Sequence, residues 1–223
     1  YLAIRRGPMA QPTSGTQVYT GALASSSGNY TAVAGFPVDL CFYGGRTGTV
    51  KWTWFDRLRG NPYLKSETTG AEAASSGDFT SMTSFSVTAS GDNSNYMNFM
   101  FRRYPGVFDE VAYTGTGANH FEAHNLGAVP ELIITKNRTG APAVTGWVTA
   151  APSVFAGPGF IAFLNTTATP FNNGAYFTDA GSFSSTQLPI ATHRNESGVA
   201  YVAYLFATKA GVSKVGSYTG NGT

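Results

Sequence analysis

Tyr201-Val-Ala-Tyr-Leu-Phe-Ala207 is apolar on both of its alternating faces. A strand with one solvated face alternates apolar and polar residues, so this run predicts a central strand buried on two sides. The same opening recurs as Tyr96-Met-Asn-Phe99 and Tyr1-Leu-Ala-Ile4, with start points 95 and 105 residues apart. Each is followed 17 or 18 residues later by an aromatic-Thr-Gly step: Tyr19-Thr20-Gly21, Tyr113-Thr114-Gly115 and Tyr218-Thr219-Gly220.

More of the chain aligns around these anchors. Phe36-Pro37-Val38-Asp39-Leu40 matches Val129-Pro130-Glu131-Leu132-Ile133, and Arg46-Thr47-Gly48 matches Arg138-Thr139-Gly140. Trp54 falls near Trp147, while Gly77-Asp-Phe79 and Phe85 match Gly181-Ser-Phe183 and Leu188. Two diverged copies of a domain-sized unit of about a hundred residues follow from this. Residues 1–17 read as the terminal strand of a preceding repeat, 18–104 and 105–217 as the two copies, and 218–223 as the start of a following one. The opening at Tyr1 and the closing Gly220-Asn-Gly-Thr223 suggest a piece cut from a longer polypeptide.

Between the anchors, short runs rich in Val, Ile, Phe, Tyr and Thr alternate with Gly, Asn, Ser and Pro clusters. Pro37 and Pro130 each stand just before a strand, where the missing N–H costs no ladder bond. No stretch carries a helical i, i+3, i+4, i+7 stripe. The expected fold is all-β: two tandem antiparallel β-sandwich, jelly-roll-like modules.

Composition narrows the function. Of 223 residues only 12% are charged, the net charge is +2, and 27 are glycine. Coiled coils and nucleic-acid-binding domains need more charge or clustered positive charge. No apolar run approaches the ~18 residues of a membrane-spanning helix. Neither nucleic acid nor membrane insertion is therefore expected. The single cysteine, Cys41, allows no internal disulfide and reads as a small buried hydrophobe in a strand.

Several phrases carry a family resemblance. They are Tyr104-Pro-Gly-Val-Phe108-Asp109-Glu-Val111, Tyr113-Thr-Gly-Thr-Gly117, His124-Asn-Leu-Gly127, Pro130-Glu-Leu-Ile-Ile134 and Lys136-Asn-Arg138. Trp52-Thr-Trp54-Phe55-Asp56-Arg57-Leu-Arg59-Gly60 completes the set in the first copy, and the second copy lacks its Asp-x-x-Arg-Gly. Together they resemble a repeat module of tailed-bacteriophage tail-fibre and tail-tip proteins. That resemblance implies a virion structural protein of the tail, acting in host attachment beside other tail proteins. It also implies a homo-oligomer such as a trimer, but no known ligand; the ligand expected of such a segment is a bacterial surface glycan. The alternatives are a structural spacer or capsid-decoration module without a ligand, and a polysaccharide-degrading tail enzyme.

Candidate sites follow from residue chemistry. Trp52 and Trp54 share one face of a strand, and flat aromatic faces suit sugar rings. With Arg57 and Tyr63 they form the candidate glycan-binding set, against the alternative that the tryptophans pack in a core. Glycoside hydrolysis needs two facing carboxyls about 5–9.5 Å apart. Asp56, Glu67, Glu72, Asp109 and Glu110 are the available groups, but no hydrolase or nucleotide-binding motif accompanies them. No catalytic residue and no cofactor is assigned. His120, Glu122 and His124 alternate on one strand face and could converge on one ion, yet His124 belongs to a turn phrase, so no metal is assigned. Arg5-Arg6 and Arg102-Arg103 occupy equivalent places before Pro8 and Pro105, where they could anchor a linker to a carboxylate.

Overall fold

In Leu40-Cys-Phe-Tyr43 the side chains alternate in direction, and both directions are occupied by packed neighbours. This strand is sandwiched, and its two faces define the architecture. A computed structural model describes residues 10–24, 28–47, 51–74, 77–88, 95–140, 144–157, 159–177 and 183–222. Among them there is no α-helix, only two three-residue 3-10 turns at Gly15–Gln17 and Thr192–Arg194. Among the described residues no helix is long and apolar enough to cross a membrane. The fold is all-β, antiparallel and sandwich-like.

The first large sheet has five strands in the order β1 (Tyr19–Leu23), β8 (Tyr96–Phe101), β3 (Leu40–Gly45), β4 (Thr53–Asp56) and β5 (Leu64–Lys65). A three-stranded sheet of β2 (Tyr30–Val33), β7 (Ser84–Val87) and β6 (Gly77–Asp78) covers one of its faces. Cys41, Phe55 and Met100 meet Tyr30, Ala32, Phe85 and Val87 in that core. The second large sheet has six strands, and β14 (Phe171–Asn172), β13 (Phe160–Phe163) and β12 (Val148–Ala150) open its order. It continues with β11 (Leu132–Asn137), β16 (Ala200–Phe206) and β9 (Phe108–Thr114). The pair β10 (His120–Ala123) and β15 (Gln187–Ile190) lies over its core with Leu126, Tyr176 and Phe177. Read from β1 and from β9, the two large sheets repeat one strand order.

The remaining faces of the two large sheets pack on each other. Leu40, Trp54 and Leu64 from the first meet Ile134, Trp147, Val202 and Tyr204 from the second. Trp54 lies 5.1 Å from Trp147 and 5.4 Å from Tyr204, between ring centroids. Interlayer side chains packed at this density contribute as a domain core does. The β16 run is buried on both faces because it is central in one sheet and sandwiched between two layers.

Register tests the internal alignment residue by residue. Leu40 pairs with Phe101 and Leu132 with Phe206, so Leu40 corresponds to Leu132 and Asp39 to Glu131. The Pro37 and Pro130 phrases therefore align with a slip of one residue. Arg46 does correspond to Arg138: their amides bond the carbonyls of Asn95 and Ala200, just before equivalent strands. Trp147 sits where Trp52 sits, and Trp54 corresponds to Thr149. Tyr19 pairs with Phe101 and Phe108 with Phe206, so Tyr19 corresponds to Phe108, five residues before Tyr113. The Tyr-Thr-Gly steps at Tyr19 and Tyr113 are not equivalent. Tyr1–Ile4, Arg5-Arg6, Pro8, Gly48 and Gly181 lie outside the described residues.

Candidate functional site

An open cleft of about 580 Å³ is lined by both large sheets and by the segment 212–216. Tyr19, Phe42, Trp54 and Phe101 line it from the first sheet, and Phe108 and Phe206 from the second. Alternation in β1, β8, β3 and β4 puts these aromatic side chains on one face. Phe42 stacks on Trp54 at 4.4 Å, and Trp52 stacks on Phe99 at 5.5 Å. Tyr19 continues the row beside Phe99 and Phe101. Gly44 is required under this platform, because a Cβ there would lie 2.6 Å from the Trp52 ring.

Of the expected glycan-binding set, only the tryptophans share this face. Trp54 is 6% exposed and lines the cleft, and its indole N–H has no hydrogen-bond partner among the described residues. Trp52 is half-buried further along the face. Arg57 turns away, donating to the carbonyls of Val38, Ser81 and Met82 and lying 4.6 Å over Phe79. Tyr63 packs beside Phe55 and the first copy's own core. The four do not converge, because residues of β4 and the turn after it diverge to opposite sides of one sheet.

Deeper between the sheets lies a buried polar network. Arg59 bonds Asp56 through its side chain and its backbone N–H, and reaches the Trp54 carbonyl and the Tyr204 hydroxyl. Tyr204 donates to Asp56 at 2.7 Å. Burial works against the Arg59 charge, yet Tyr204, Asp56 and Glu72 around it hold its pKa above the ordinary value. Glu72 also takes a two-pronged contact from Arg138 at 3.0 and 3.1 Å. The Asp-x-x-Arg phrase thus fixes a turn and joins the copies.

The carboxyls considered for acid–base chemistry are placed otherwise than a cleft would need. Asp56 is sealed under Arg59 and Tyr204. Asp109 is held by Arg103 at 2.7 Å and by the Asn125 amide at 2.7 Å. Glu110 is buried, and among the described residues neither of its carboxyl oxygens has a hydrogen-bond partner. Burial raises its pKa well above the usual carboxyl range, and the nearby Asp56 adds to the shift.

His120 and Glu122 form a pair at 3.1 Å, while His124 accepts the Leu126 amide through Nδ1 inside its turn. Among the described residues no group of three His, Cys, Asp or Glu could hold a metal ion. Arg103 anchors the joint between the copies: its backbone N–H bonds Asp39 and its side chain bonds Asp109. The counterpart contact runs from the Thr208 amide to Glu131.

Two buried cations escaped the sequence reading. Lys136 donates to the carbonyls of Thr69 and Asn137 and to the Asn137 side chain. Burial and the nearby Arg194 pull its pKa down to about 7. Arg194 is fully buried over the Tyr201 ring and donates to the Gly146 carbonyl. The only sequence signal for Lys136 was position: it follows an apolar run, Leu132-Ile-Ile134, within a strand buried almost throughout.

Residues 104–223, a little over half of the chain, match a family described as a domain of unknown function (DUF7483). The matched span takes in β9 through β16. No curated protein and no solved structure matches the chain.

Proposed function

The chain belongs to the DUF7483 family, and we propose that it is a non-enzymatic attachment segment of a phage tail that contacts a bacterial surface glycan at the cleft between its large sheets. The observation that carries this reading is an aromatic cleft lined by Trp54, whose indole N–H has no partner among the described residues. A sugar ring stacked on the platform would bring hydroxyl acceptors to that donor. A rigid two-copy body holds the cleft in one shape, and many copies on a particle convert weak contacts to avidity. The family resemblance in the Tyr104–Arg138 phrases supplies the phage-tail setting.

The test is calorimetric titration of the purified chain with surface polysaccharides of candidate hosts. Trp54→Phe keeps the stack and removes the donor, and should weaken binding while the fold is retained. Equal binding by Trp54→Phe and by Phe42→Ala would sink the cleft as the site.

A second reading, a spacer without a ligand, is favoured by the breadth of the contact between the copies. It expects no polysaccharide to bind and no loss of adsorption from particles carrying Trp54→Phe.

A further inference from the structure

The strand β1 stands at the edge of the five-stranded sheet. Its ladder partner β8 takes one set of its backbone groups. The Ala24 amide bonds the Tyr96 carbonyl and the Arg102 amide bonds the Val18 carbonyl, so the even-numbered residues face β8. In an antiparallel ladder the intervening residues then point their N–H and C=O outward. These are Tyr19, Gly21 and Leu23, and none of the described residues pairs with that edge.

Natural edge strands are guarded by charges, proline, bulges or a covering segment. Tyr19-Thr-Gly-Ala-Leu23 has no charge and no proline. Its side chains alternate, with Tyr19 39% and Leu23 51% exposed. The equivalent edge of the second copy, β9, is covered at its first residue. Tyr104 takes up the backbone of Phe108, while at the position of Gly21 stands Glu110, whose side chain is buried. The two copies differ at the centre of the edge, and among the described residues nothing pairs with β1 on its outer side.

We infer that β1 is a self-association edge that pairs antiparallel with β1 of a second copy of this chain, about a two-fold axis at Gly21. The sequence is self-complementary in that register. Gly21 opposes Gly21 and Tyr19 opposes Leu23, so all three outward-facing residues on each side exchange N–H···O=C bonds. An aromatic ring against a branched aliphatic is a favourable cross-strand pair. Glycine at the axis leaves the backbones free to approach. The pairing merges two five-stranded sheets and runs their aromatic faces together. It does not need the glycan reading, because the pairing is made by the backbone edge, although Tyr19 at one end of that edge also lines the cleft.

Sedimentation of the intact chain over a wide concentration range tests it. The expected species is a concentration-dependent dimer of twice the 23.5 kDa chain mass. In the same samples, the Gly21 and Leu23 amides should exchange more slowly as the dimer fills. Gly21→Glu and Gly21→Lys each place like charges face to face at the axis and should weaken association by roughly tenfold or more. An equal mixture of the two variants should restore a mixed dimer, which also certifies that both fold. The flexible end of Met97, 2.6 Å from a Cβ at this position, must shift to admit either side chain. A monomer at every concentration, a trimer, a dimer indifferent to these substitutions, or no rescue on mixing would overturn the inference.

Discussion

Tyr204 and Asp56, 148 residues apart, meet at 2.7 Å between the two large sheets, where the tyrosine hydroxyl donates to a fully buried carboxylate. The bond crosses the boundary between the copies, so each copy's fold depends on a group supplied by the other. Tyr204→Phe should lower unfolding free energy by about 1–2 kcal/mol, since Asp56 keeps Arg59 but loses one donor. Asp56→Ala should cost about 3–5 kcal/mol, because it strands the buried Arg59 charge. Urea unfolding read as midpoint shifts at unchanged slope checks the order of the two.

Trp147 is fully buried against Trp54 and donates its indole N–H to the Lys65 carbonyl at 2.8 Å. Trp147→Ala should cost about 3–5 kcal/mol through the cavity and the orphaned carbonyl. The wild-type chain should unfold in one calorimetric transition spanning both copies. Two separated transitions in the wild type would contradict the shared core.

Glu110 sets an acid-side pH dependence. Its folded pKa is raised, so the folded state retains a proton that the unfolded chain releases from about pH 4.5 upward. Stability then falls as pH rises through that window. Glu110→Gln, neutral at every pH, should remove this fall and leave the variant more stable than wild type at neutral pH. Unfolding free energies measured from pH 4 to 8 decide it.

Lys136 acts with the opposite sign. Its pKa drops from 10.5 unfolded to about 7 folded, so between those values the unfolded chain binds the extra proton. Stability should therefore rise with pH across that interval and be flat in this term below it. Lys136→Met should flatten the rise. A wild-type profile that falls with pH in the same interval, with no difference in Lys136→Met, would contradict the assignment.

The sequence carried the sheets further than the sites. Alternation and the doubly apolar Tyr201–Ala207 run made the β class and the central strand readable. The Arg46 and Arg138 match survived because both follow a strand in the same hydrogen-bonding step. The Tyr-Thr-Gly match at Tyr19 failed because Tyr19 opens its strand, whereas Tyr113 stands five residues into its own. Contacts between copies were hidden for a different reason. Asp56, Arg59 and Tyr204 look like surface or core residues of separate units until two sheets are laid face to face. Arg57 and Tyr63 sat close to Trp54 in sequence, yet the pleat and the following turn sent them to the opposite side.

Phe101 meets Phe206, its own counterpart in the other copy, at 5.7 Å. Each copy turns the same face of its large sheet to the other, although most of the residues in contact are not counterparts. The opposite face is already covered by a small sheet, so a unit joined in this way has no bare large-sheet face for a third. A polypeptide that strings many of these units together would therefore be organised in couples. Its bending would be set by the number of couples, not the number of repeats.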